Sequence, residues 1–122
     1  MFEFLRSNNK KEQTQESFRI NFDSAEQWDT ILSLSKEKAV YIFKHSSRCG
    51  ISSMVLSRFE KQVKERNETY FHLHIQGNRS LSNQIAEELQ IRHQSPQLIV
   101  LKDDKVLAYG SHYDILEIVP SL

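Results

Sequence analysis

Residues 39–55 read AVYIFKHSSRCGISSMV, and the organisation of the whole chain follows from how this stretch is parsed. Ala39 to Phe43 is a continuous apolar run of strand length, the pattern of a strand covered on both faces. Lys44 to Ser47 is polar. From Cys49 onward a helix is predicted, because Ile51, Val55, Phe59 and Val63 recur four residues apart and no proline interrupts them. Cys49 therefore stands where a buried strand gives way to a long helix.

Downstream, Tyr70 to Ile75 reads as a second strand, closed by Gly77-Asn78. Ser80 is expected to cap a helix that sets Leu81, Ile85 and Leu89 on one side. Pro96 precedes a third strand, Gln97 to Leu101, and Asp103-Asp104 turns the chain into a fourth, Lys105 to Tyr109. These two should form an antiparallel hairpin. A short helix is predicted from about His112 to Val119. Upstream, Phe18 to Phe22 alternates like a strand. Asp23-Ser24 with Glu26 and Gln27 then opens a helix whose apolar side is Trp28, Ile31, Leu32 and Leu34. Residues 1–17 are polar in nearly unbroken order from Ser7 to Glu16 and are expected to form a flexible arm, leaving residues 18–122 as the domain.

A chain of 122 residues holds one compact domain. Its 16 Lys and Arg balance 16 Asp and Glu, so net charge argues for neither a nucleic-acid nor a membrane partner. No apolar run approaches the roughly 20 residues that span a bilayer, and the opening MFEFL is too short and acidic for a signal sequence. One cysteine permits no internal disulfide, and a lone thiol fits a reducing cytoplasm.

The element order is strand, helix, strand, helix, strand, helix, strand, strand, helix. Two parallel strands joined by the Cys49 helix, then a helix, a hairpin and a helix, make an α/β thioredoxin-like fold. Its central mixed sheet would have four to five strands flanked by helices. In that setting the helix dipole and first-turn N–H groups favour a thiolate at Cys49, and Lys44, His45 and Arg48 add positive charge. Reactive cysteines at such sites titrate at about 3.5 to 7.5. The local pattern is Cys49-Gly50-Ile51-Ser52. A dithiol enzyme would carry its resolving cysteine at the fourth position; Ser52 can donate a hydrogen bond to the sulfur but forms no disulfide, so the site is monothiol. The plainer alternative is a small, inert core cysteine.

Ser95-Pro96 is the second feature. Proline at a strand's entrance marks a turn, and most X–Pro bonds are trans. The thioredoxin arrangement instead places a cis proline here, facing the cysteine, with the preceding backbone pairing to substrate. A cis bond is expected. His72 and His74 share one side of a strand, but no third ligand accompanies them, so they read as exposed positions and no metal site is assigned. His45 either tunes Cys49 or caps the loop. His93 and His112 carry no signal in their spacing.

Taken together, IFKHSSRCGISSM (residues 42–54), RHQSPQLIVLKDDKV (92–106) and SHYDI (111–115) resemble the monothiol bacilliredoxin family over roughly residues 18–118. The resemblance implies a thioredoxin-like fold with no bound cofactor. It also implies bacillithiol, a low-molecular-weight bacterial thiol, as co-substrate, and an activity that strips it from protein mixed disulfides. The family's cysteine corresponds to Cys49 and its substrate-side proline to Pro96; Gly50 stands where the family usually has proline. Two rivals remain open at this point. Cys-Gly-x-Ser is also the site of monothiol glutaredoxins, which hold an iron–sulfur cluster with glutathione, but their glycine pair is replaced here by Tyr109-Gly110-Ser111-His112. The other rival is a non-catalytic thioredoxin-like binding module.

Overall fold

The computed structural model describes residues 18–122, and the arm expected over residues 1–17 lies outside them. Strand β1 (Arg19–Asn21) leads to helix α1 (Ala25–Leu34), β2 (Val40–His45), α2 (Gly50–Glu65), β3 (Tyr70–His74) and α3 (Arg79–Leu89). The hairpin β4 (Gln97–Lys102) and β5 (Lys105–Ser111) follows. A 3-10 turn (His112–Asp114) then opens α4 (Ile115–Ser121). The five strands lie in the order β1-β3-β2-β4-β5, with β3 parallel to both β1 and β2, and β4 antiparallel to β2 and β5. The mixed sheet expected from the sequence is thus present with five strands.

The two central apolar strands separate the core into two layers. Successive side chains of a strand point to opposite faces. Val40, Ile42, Ile99 and Leu101 pack with Trp28, Ile31, Leu81 and Ile85 of α1 and α3. Tyr41, Phe43, Leu98 and Val100 pack with Val55, Phe59 and Val63 of α2 and Ile115 and Val119 of α4. Burial on both faces is why these strands read as unbroken apolar runs.

Local signals explain most element ends. Ser24 caps α1 by accepting from the Gln27 N–H at 3.2 Å, and Gln27 accepts in turn from the Asp23 N–H at 2.8 Å. Asp103 and Asp104 both adopt positive φ (56° and 67°), the conformation of a tight hairpin turn. Their N–H groups are held by Ser35, which accepts from Asp103 on its carbonyl at 2.7 Å and from Asp104 on Oγ at 3.0 Å.

Three expectations need correction. Asn78, not Ser80, precedes the first turn of α3; its side chain donates to the His74 carbonyl at 2.9 Å, tying the helix start to the end of β3. The final helix begins as a 3-10 turn, so α4 proper starts three residues later than expected and runs on to Ser121. Strand β2 does not stop at Phe43 but continues through Lys44 and His45, which pair with Leu73 and His74 of β3. That last difference shapes the site.

Candidate active site

Cys49 is the N-cap residue of α2, with extended backbone angles (φ −111°, ψ 115°), and its thiol is partly exposed. Its N–H donates to the Ser46 carbonyl at 3.3 Å, and its own carbonyl accepts from the Ser52 N–H at 3.0 Å. Among the described residues no N–H caps the sulfur itself. What the 16-residue helix offers Cys49 is the field of its dipole rather than a direct hydrogen bond.

The loop that delivers Cys49 is held from another strand. Ser46 Oγ accepts from the Arg48 N–H at 3.3 Å and from Gln76 Nε2 at 3.0 Å, while Gln76 Oε1 accepts from the Ser47 N–H at 3.1 Å. Gln76 follows β3 and was not singled out from the sequence, where a glutamine before Gly77-Asn78 carries no distinguishing signal.

Ser52 is fully buried one turn into α2. Its hydroxyl oxygen accepts from the Ser46 N–H at 3.1 Å and lies 2.8 Å from His45 Nδ1. The hydroxyl expected to serve the sulfur is therefore engaged by the loop and by His45.

The three expected cations separate. Arg48 is exposed in the loop beside Cys49. Strand alternation sends Lys44 to the α1/α3 face, where it is fully buried and its ammonium donates to the Ser82 carbonyl of α3 at 3.0 Å. Burial pushes the Lys44 amine down to about 8. His45 points to the α2 face, where burial and the fields of His74 and Arg19 lower its affinity for a proton, with Glu60 opposing them. The cationic flank inferred from Lys44, His45 and Arg48 thus narrows to Arg48 on the exposed side.

Lys44 yields a stability prediction. A buried ammonium that prefers to be neutral in the folded state destabilises the protein at neutral pH, and that cost is relieved as pH rises from about 8 toward the ordinary value of 10.5. Lys44→Met, which replaces the charge by an apolar chain of similar length, is expected to raise the melting temperature at pH 7. The difference between variant and parent should shrink between pH 8 and 10.5. Thermal unfolding across that range checks it, and a constant difference would count against it.

His72 and His74 were expected to be exposed; instead His72 is buried and His74 half-buried. Both rings lie against His45, with centroids at 5.4 Å and 5.7 Å respectively. His72 Nδ1 lies 3.3 Å from the Tyr70 hydroxyl, which is hydrogen-bonded to Glu60 and Arg19. Among the described residues no three or more His, Cys, Asp or Glu are grouped to hold a metal ion.

The Ser95–Pro96 bond is cis, as expected. Gln97 pairs with Lys44, so buried Pro96 stands one step past the end of that ladder, at the edge of the sheet where β2 runs toward Cys49. The Pro96 carbonyl accepts from the His112 N–H at 3.0 Å. The preceding loop is fixed from two sides. Gln97 Nε2 donates to the Arg92 carbonyl at 3.0 Å, and His93 Nδ1 lies 3.1 Å from Ser82 Oγ.

A half-exposed cysteine opening the helix after β2, with a cis proline at the same edge of a five-stranded mixed sheet, invites comparison with known proteins. A family model described as the monothiol bacilliredoxin BrxC matches residues 20–118. The chain belongs to the monothiol bacilliredoxin family. Among solved structures, this bacilliredoxin resembles one described as a candidate oxidoreductase with a thioredoxin fold. The TM-score is 0.78 at 27% identity, covering 87% of this chain and 94% of that one. Thioredoxin f from spinach chloroplast (short form) superposes with a TM-score of 0.65 at 24% identity over 86% and 93% of the two chains. A thioredoxin from Trypanosoma brucei brucei gives 0.68 at 16% identity over 85% and 87%. The last two establish the thioredoxin fold. Family and fold together make this bacilliredoxin a thiol oxidoreductase.

Gly50, where the family resemblance leads to an expectation of proline, is the first residue of α2, and a Cβ there would meet nothing within 4 Å. The first helical turn is where proline is best tolerated, and the extended backbone of Cys49 suits a residue before proline. Gly50→Pro is expected to fold normally and to gain about 0.4–1 kcal/mol, chiefly by restricting the unfolded chain. Chemical denaturation measures this directly, and a loss of stability would contradict it.

Proposed function

We propose that this protein removes bacillithiol from protein mixed disulfides, with Cys49 as the attacking sulfur. The observation that carries the reading is a single, partly exposed cysteine at the N-cap of α2 followed at the fourth position by a buried serine. The Cys49 thiolate attacks the bacillithiol sulfur of the mixed disulfide. A Cys49–bacillithiol disulfide forms, the S–S bond between the client and bacillithiol sulfurs breaks, and the client leaves as a thiolate that takes a proton from water. A second thiol then attacks the adduct, leaves as the partner of bacillithiol in a new disulfide, and regenerates the Cys49 thiolate. Bacillithiol is co-substrate, and no bound cofactor takes part.

The clients are bacillithiolated proteins in a reducing cytoplasm, with neither nucleic acid nor membrane as partner. Among the described residues no helix is long and apolar enough to cross a membrane. Ile51 and Met54 are exposed on the first turns of α2 and offer apolar contact beside the sulfur. Ser95 and Pro96 supply the backbone edge against which the client segment pairs. The glutaredoxin alternative draws no support from Gly110. A Cβ there would lie 2.9 Å from Ile118 Cδ1, so close packing of α4 accounts for that glycine.

Intact mass measured after incubation with oxidised bacillithiol, with oxidised glutathione as control, tests the proposal. The expected result is a single bacillithiol adduct on the parent protein, none on Cys49→Ser, and little glutathione adduct. Equal modification by both thiols would remove the claim for bacillithiol. A Cys49 no more reactive toward a thiol probe than free cysteine at neutral pH would favour the non-catalytic binding module.

A further inference from the structure

We propose that Gln76 is a positioning residue: its amide holds the loop that carries Cys49 in register with the Ser95–Pro96 edge on which a client segment lies. This rests on the reacting sulfur and the client edge named above, and on nothing about which small thiol is transferred. The last pair between β2 and β3 is His45 with His74, and beyond it the Ile75 N–H still donates to the His45 carbonyl at 2.8 Å. Past that point the two backbones part. One turns back at Gly77 and the other runs on to Cys49. Gln76 carries the connection one step further through its side chain. Its Nε2 donates to Ser46 Oγ at 3.0 Å, and its Oε1 accepts from the Ser47 N–H at 3.1 Å and the Ser47 hydroxyl at 3.3 Å. Ser46 passes the hold on, because its Oγ accepts from the Arg48 N–H at 3.3 Å and its carbonyl from the Cys49 N–H at 3.3 Å.

The anchor is itself fixed. Gln76 is the second residue of a turn that the Asn78 N–H closes on the Ile75 carbonyl at 2.9 Å, and Gly77 supplies the positive φ (89°) at the third position. Asn78 Nδ2 on the His74 carbonyl adds a second tie at 2.9 Å. The other hold on Ser46 is of a different kind. Ser52 Oγ, which receives the Ser46 N–H at 3.1 Å and lies 2.8 Å from His45 Nδ1, joins the loop to its own helix and strand. Gln76 joins it to a neighbouring strand. In the sheet β2 lies between β3, which leads into Gln76, and β4, which begins just after Pro96. The loop leaving β2 is therefore held from one flank while the client edge stands on the other. A reagent free in solution can meet the sulfur wherever the loop carries it. A client lying on Ser95–Pro96 cannot follow, so a small displacement of the loop takes the sulfur out of line with the client's disulfide.

The test compares two thionitrobenzoate mixed disulfides, one on the cysteine of a short unstructured peptide and one on free cysteine, using the parent, Gln76→Met and Gln76→Glu. In each reaction the Cys49 thiolate attacks the cysteine sulfur and a disulfide to Cys49 forms. The bond to the thionitrobenzoate sulfur breaks, and thionitrobenzoate leaves as a coloured thiolate. The parent should react faster with the peptide than with free cysteine. Gln76→Met keeps the length of the side chain and neither polar atom. It should lose about tenfold on the peptide, the factor expected of one to two net hydrogen bonds, and stay within about twofold on free cysteine. Gln76→Glu should hold the peptide rate, because a carboxylate accepts from the Ser47 N–H and from the Ser46 hydroxyl. Its negative charge beside the loop should move the pH profile of Cys49 alkylation by iodoacetamide upward, whereas Gln76→Met should leave that profile in place. A Gln76→Met protein that keeps both rates, or loses both in step, would overturn the proposal. So would a Gln76→Glu protein that loses the peptide rate as fully. If Gln76→Met does not fold, Gln76→Asn, a methylene too short to reach Ser46 and Ser47 together, must show the same selective loss. A parent with no preference for the peptide removes the client edge and this proposal with it. Equal modification by bacillithiol and glutathione removes only the bacillithiol reading.

Discussion

Given a bacillithiolated client and no free thiol, the protein is expected to release one equivalent of client and stop, with Cys49 left modified. The chain has one cysteine, and Ser52 at the resolving position cannot form a disulfide, so nothing internal can expel the adduct. Reduced bacillithiol or a partner reductase added to the same mixture should restore multiple turnovers. Cys49→Ser should abolish even the first equivalent, a complete loss rather than a slowing. Client release followed by gel shift, against enzyme concentration, separates one round from many. Release by the Cys49→Ser protein would end the proposed mechanism.

The second large effect concerns acid. His72 is buried against Tyr70, and burial, with the fields of Arg19, His45 and His74, pushes its proton affinity down to about 3. The unfolded chain regains an ordinary imidazole near 6.5, so it binds a proton that the folded protein refuses. Stability is then complete above about 6.5 and falls as pH drops through the window from 6.5 to 3. One proton of difference corresponds to at most about 1.4 kcal/mol per pH unit. His72→Phe should flatten this fall. Tyr70 would keep Glu60 and Arg19 as hydrogen-bond partners, so the substitution does not strand its hydroxyl. Denaturation midpoints of the two proteins from pH 7 to 4 should diverge with acid, and parallel curves would refute the assignment to His72.

The fold was largely legible because its informative residues act locally or by periodicity. AVYIF and QLIVL announce two doubly covered strands, Asp103-Asp104 announces the hairpin, and Ser24 with Gln27 announces a helix start. The position of Cys49 followed from the same parsing. What was not legible depends on neighbours across the sheet. Lys44 and His72 look like solvent-facing residues in their own segments. They are buried because α3 covers one, through Ser82, and Tyr70, His45 and Arg19 surround the other. Ser52 was assigned to the sulfur because they share a turn, whereas its partners, His45 and Ser46, arrive from the strand before. The Asn78 start of α3 is not legible because asparagine and serine cap helices about equally well by type, and the choice is made by the His74 carbonyl that holds the Asn78 side chain.

The clamp that Gln76 places on Ser46 and Ser47 bears on how clients are chosen. A docking loop that must freeze on contact charges every partner the same ordering entropy, and short or flexible partners then bind too weakly to react. Here the loop is already frozen from β3, so that entropy is spent during folding and not at encounter. Discrimination among clients therefore shifts to the other side of the contact. Proteins whose modified cysteine lies in a segment that is already extended, or easily extended, are the ones this surface should favour.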